Sequence, residues 1–271
     1  MEFRIEKDDF LHIFYGMEFE FRKFLKNKRF FVMAIIAAVL PLIYYILPKL
    51  MSKDLVEDPL TLIELNLGSV NLLVILSAAV FMGSAVSGEI QNKTALLLFP
   101  TPQKRTSILL GKFLAAVLAT WSITLMYYTI TGLEAGAVYG FQNIPLEIME
   151  SLGISLLYGI SVLSFMFLMT GFMKRSITAI ITGILSYFMV LPLVSSVFQG
   201  IDIEPWFIVT YSAGLITKVL GATDDAGFGP GKHMAVPGFE PDLGLGIMVM
   251  AVYALVLFAL AMSVSIKRTM E

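Results

Sequence analysis

The chain has 271 residues, of which 57% are hydrophobic and only 15% charged, with a formal net charge of −2 and a mean hydropathy of +0.82. Soluble domains carry about a quarter charged residues, and a near-neutral chain lacks the basic surface that nucleic acid requires, so both a soluble fold and a nucleic-acid partner are excluded. The absence of cysteine removes disulfides, zinc–thiolate sites and thiol catalysis.

The first element is not a membrane span. Asp8 and Asp9 can cap a helix, and Phe10, Phe14, Met17, Phe21 and Phe24 then follow at steps of four, three, four and three, which makes one apolar stripe. Arg22, Lys23, Lys26, Lys28 and Arg29 crowd its C-terminal end, where they suit the helix dipole and anionic headgroups. Residues 1–29 therefore read as an amphipathic helix. It lies in the membrane interface against lipid or packs on a soluble partner, and the two are compatible.

Six stretches without Asp, Glu, Lys or Arg follow: Phe30 to Pro48, Leu65 to Ser87, Phe113 to Leu133, Ser151 to Met173, Ser176 to Val197, and Leu243 to Ile266. Each is close to or above the roughly 20 residues a helix needs to cross about 30 Å of hydrocarbon. Backbone in lipid must satisfy its own hydrogen bonds, so each reads as a helix. Residues 30–271 thus form a six-span transmembrane domain of an all-α integral membrane protein. No cleavable signal is expected, because the first apolar run begins only near Phe30 and lacks a small-residue cleavage site. Pro41 and Pro192 are expected to kink the first and fifth spans. Ala79, Gly83 and Ser87, at steps of four on the second span, allow close approach of another helix.

All but four of the 19 Lys and Arg residues fall on the side of the N-terminus; the exceptions are Lys49, Lys53, Lys218 and Lys232. By the positive-inside rule both termini are cytoplasmic, which independently requires an even number of spans. The long outer loop, residues 198–242, has an apolar first half, Pro205 to Leu220, fit for a helix or re-entrant hairpin. Its second half is rich in Gly and Pro. Asp224, Asp225 and His233 lack metal-ligand spacing, and solvated loop charges are the better reading.

Ion-coupled transporters and intramembrane enzymes need ionisable groups within the membrane. The six stretches contain none, and neither His12 nor His233 lies in one. Asn66, Asn71, Tyr127, Tyr128, Tyr158 and Tyr187 can bond between helices or line a path for an amphipathic substrate. The chain also has no GxxxxGK[ST] phosphate loop, so it is not expected to be an enzyme, and energy for transport would come from a partner.

The inner loop Gly88 to Lys112 has a helix-forming stretch, Glu89 to Phe99, stopped by Pro100 and Pro102. Read physically it is a surface helix joined at both ends to spans, either an ordinary interfacial helix or a lever. Glu89, Thr94, Leu97, Leu98, Pro100, Arg105, Leu109, Leu110, Gly111 and Lys112 form a pattern that resembles the coupling-helix loop of ABC-2-type transporter permeases. The run Met17 to Val32 is similar to the basic interfacial helix that opens such permeases, and the span count, cytoplasmic ends and long outer loop fit. Lys93 stands where the family often has Gly.

The resemblance implies an ABC-2-type permease fold and a plasma-membrane location. It implies a pair of permease chains, alike or different, over two separate ABC ATPase subunits that hold the ATP and magnesium; this chain binds no cofactor or metal itself. Ile90, Leu97 and Leu98 would bury against the ATPase, and Glu89, Lys93, Lys104 and Arg105 would set the register. Such proteins mostly export. The contrasting expectation is a non-transporting subunit that anchors a complex.

Overall fold

The computed structural model describes residues 7–50, 59–86, 104–173, 175–201, 203–221 and 242–268, and among them every regular element is helical. Helix α1 is Lys7–Lys26, so Asp8 and Asp9 lie within the helix and not ahead of it; α2 is Lys28–Leu50. Helices α3, Pro59–Leu67, and α4, Val70–Ala85, form one span with a joint at Gly68 and Ser69. Helix α5 is Arg105–Tyr139, and after a 3-10 turn at Phe141–Asn143 comes α6, Glu147–Phe172. Helix α7, Ser176–Leu185, runs through a π turn, Ser186–Val190, into α8, Leu191–Gln199. Two one-turn helices, α9 (Val209–Ser212) and α10 (Leu215–Lys218), precede α11, Leu243–Arg268.

Six of these helical units are long and apolar enough to cross a membrane, and the chain is a multi-pass membrane protein. Each overlaps one of the six charge-free stretches. Burial separates them into two shells: more than half of the residues in the apolar stretches of α3–α4, α5 and α6 are buried, against a third or fewer in those of α2, α7–α8 and α11. The outer helices present large apolar side chains to the surroundings, such as Ile35, Ile177 and Leu255, as lipid contact requires and as water would forbid.

Small residues set the closest crossings. A Cβ on Gly83 would stand 2.5 Å from Ile180 Cγ1, and the Ser176 hydroxyl donates to the Gly83 carbonyl at 3.0 Å, so α7 lies directly on α4. Gly159 lets Val74 and Thr120 meet over α6. A ring cluster of Phe113, Phe167 and Phe258 joins α5, α6 and α11, with Phe113 and Phe258 4.6 Å apart.

The two prolines act differently. Pro41 sits inside a continuous α2. Pro192 follows the π turn, where the widened backbone accommodates a ring that would otherwise clash with the carbonyl four residues earlier. The expected outer segment Pro205 to Leu220 does fold back: Val209, Leu215 and Ile216 are buried, and the Ser151 hydroxyl donates to the Ile216 carbonyl at 2.6 Å. Asp224, Asp225 and His233 lie outside the described residues.

Candidate functional site

Helix α5 is the longest element and carries a buried charge near each end. Its apolar run, Phe113 to Leu133, is flanked by Lys112 and Glu134. These two are separated by about 33 Å at about 1.5 Å per residue, close to the thickness of a hydrocarbon core. The expectation that the spans are free of ionisable groups is corrected here. Lys112, Glu64 and Glu134 all belong to membrane-length helices and all are buried, because protein packing, and not lipid, surrounds them.

At the α1 end, Gly111 permits α1 to cross α5 backbone on backbone. A Cβ at Gly111 would lie 3.1 Å from the Met17 nitrogen and 3.2 Å from the Ile13 carbonyl oxygen. The next residue, Lys112, extends its Nζ to donate to the Ala85 carbonyl at 3.1 Å and lies 4.0 Å from Glu20 Oε1. Ala85 ends α4, where helix carbonyls have no intrahelical donor, so the ammonium caps that helix. Glu20 is also approached by Lys23 at 3.2 Å. Phe24 and Phe30 flank the Phe81 ring at 5.4 and 6.0 Å. One buried cation thus ties α1, α4 and α5 together at the base of the segment between α4 and α5.

Of the residues assigned to the interfacial helix, Phe24 is buried, Phe21 packs on the core partly buried, and Phe14 is half exposed. Arg22 faces outward in an ion pair with Glu18, and Phe10 lies in α1. The stripe therefore divides: Met17, Phe21 and Phe24 serve the bundle, while Phe14 is exposed together with Leu11, Tyr15 and Phe19, which lie outside the stripe. Lys104 immediately precedes α5 and Arg105 opens it. Glu89, Ile90, Lys93, Thr94, Leu97, Leu98 and Pro100 lie outside the described residues.

At the far end, the α3–α4 joint frees a carbonyl. Asn66 O accepts from the Ser69 amide at 3.0 Å and from the buried Tyr127 hydroxyl at 2.6 Å, and Tyr44 bonds Ser69 at 2.7 Å. Tyr127, Thr131 and Glu134, at steps of four and three on α5, share one face. Thr131 Oγ1, both carboxylate oxygens of Glu134 and Asn66 Oδ1 are buried without a hydrogen-bond partner among the described residues. Deeper in the bundle the hydroxyls of Tyr158 and Tyr187 are likewise buried and unpartnered, whereas Tyr128 bonds Ser151 at 2.9 Å. Native interiors leave few such atoms. Among the described residues no group of three or more His, Cys, Asp or Glu could hold a metal.

The fold and these two ends define a multi-pass helical membrane protein with buried polar groups within an apolar core. A family model described as a protein of unknown function, DUF2705, matches residues 30–269, and the chain belongs to that family. No curated protein matches it. The matched region contains Lys112 and Glu134 and begins after α1, so the family pattern covers one side of the α1–α5 crossing.

Proposed function

We propose that this chain is the permease subunit of an ATP-driven exporter of the ABC-2 type, seated in the plasma membrane with both termini cytoplasmic. Two permease chains pair, and separate ABC ATPase subunits dock beneath them, supplying ATP and magnesium. The α1 end is then the cytoplasmic end, and the segment around Glu89 to Leu98 is the coupling helix.

The observation that carries this reading is the Lys112 clamp. A partner that pushed the loop between α4 and α5 would act on a base where α1, α4 and α5 are joined by a buried ammonium, a capped carbonyl and Glu20. Force applied there moves three helices as a unit. A loop that merely floated over the membrane would have no use for a buried, paired lysine, whose desolvation is costly.

The test is purification of the tagged protein in mild detergent from its native host, with ATPase activity measured on the eluate. The expected result is a stoichiometric ATPase subunit, lost together with activity in a Leu97→Asp, Leu98→Asp variant that still inserts. A chain that elutes alone, or with a complex devoid of ATPase activity, would sink the reading in favour of an anchoring subunit.

A further inference from the structure

A buried ionisable side chain with no hydrogen-bond partner among the described residues is the strongest unexplained feature of the molecule. Glu134 is only 8% exposed, and neither of its oxygens has a hydrogen-bond partner among the described residues. The other buried carboxylate of that end, Glu64, does have an interaction partner. An unpaired carboxylate removed from water is expensive, and an ionisable group within a membrane bundle marks a functional site by default.

The neighbouring chemistry says what is missing. Thr131, one turn earlier on the same face of α5, has its hydroxyl oxygen buried without a partner. The Tyr127 hydroxyl, two turns earlier, already spends its proton on Asn66 O, so it cannot serve Glu134. The Glu134 carboxylate only accepts and the Thr131 hydroxyl carries a single proton, so acceptors outnumber donors on this face, and no cationic side chain among the described residues answers them. The absent component is a donor with positive charge. A calcium-type ion would want six or more oxygens, and the carboxylate and one hydroxyl that α5 offers on this face are too few. An ammonium group needs two or three acceptors, a number that the Glu134 carboxylate and the Thr131 hydroxyl supply.

We propose that Glu134, with Thr131 one turn earlier on the same face, binds the ammonium group of an amphipathic amine at the far end of the bundle, and that the transported molecule carries such a group. Only the second clause rests on the permease reading; the binding itself needs neither ATP nor a partner.

The experiment is equilibrium binding of radiolabelled n-hexylammonium to the full chain in lipid nanodiscs, with empty nanodiscs as the blank. Saturable binding is expected that n-hexanol does not compete and that equimolar NaCl does not displace. Glu134→Gln should weaken it about tenfold or more, the loss of one charge-assisted contact, and Glu134→Asp, which withdraws the carboxylate by one methylene, should weaken it less. Absence of saturable binding, competition by hexanol, or unchanged affinity in Glu134→Gln would overturn the proposal. Displacement by NaCl would replace the ammonium with a plain cation and overturn the assigned class. Should Glu134→Gln fail to fold, unchanged affinity in Glu134→Asp overturns it equally. ATP-driven transport without Glu134-dependent binding removes this inference alone. Binding in a chain that recruits no ATPase leaves the site standing and removes the permease reading.

Discussion

The two ends of α5 pose the same physical problem and solve it differently. Lys112 and Glu134 are single ionisable side chains buried where the apolar run stops. Lys112 is answered from two directions, by the Ala85 carbonyl and by Glu20, so its end of the bundle is internally complete. Glu134 is answered by nothing among the described residues. A buried charge that the fold satisfies serves stability; one that it leaves open is where the amine proposed above would bind.

Four substitutions bear on that contrast, each read by denaturant unfolding in detergent. The largest effect is expected from Lys112→Met, which strips the end of α4 of its cation, leaves Glu20 with Lys23 alone and should cost about 3 kcal/mol. A variant as stable as wild type would mean that the clamp is dispensable. Gly111→Val should follow at about 2 kcal/mol, because its side chain meets α1 backbone that has no rotamer to yield. It should also make α1 more susceptible to protease, and unchanged protection would show that the crossing is loose. Tyr127→Phe removes one buried bond to Asn66 O and should cost about 1 kcal/mol. The smallest change is expected from Glu134→Gln, within about 1 kcal/mol of wild type, since no native partner is lost. A loss as large as that at Lys112 would mean that Glu134 has a structural counter-ion and would erase the difference between the two ends.

The six spans were legible because a helix in lipid cannot carry exposed charge, so breaks in the charge pattern mark its ends. Their true lengths were not. Helix α5 starts at Arg105 and continues to Tyr139, beyond Phe113 to Leu133, since a charge held by neighbouring protein does not end a helix. Periodicity located α1 but joined Phe14 to Phe24 in one stripe; the crossing at Gly111 draws Met17, Phe21 and Phe24 inward and turns Phe14 out. Lys112 stood in the sequence as the last letter of a motif, with no sign that it would reach Ala85 and Glu20, which lie far from it along the chain. Glu134 did leave a trace: Tyr127, Thr131 and Glu134 fall on one face of an otherwise apolar run. That polar stripe is a signal that counting charges within spans overlooks.

The segment of α9 and α10 has a consequence for biogenesis. Its Leu215 side chain packs directly over Gly246 of α11, and its Ile216 carbonyl is held by Ser151 of α6. Both walls must therefore exist before the segment can bury Val209, Leu215 and Ile216. During synthesis these residues emerge after α6 and before α11, so they wait without a home until the last span inserts. The closing step of assembly is then local and late, and a chain truncated before α11 would leave an apolar loop available to quality-control proteases while five of its spans were already in place.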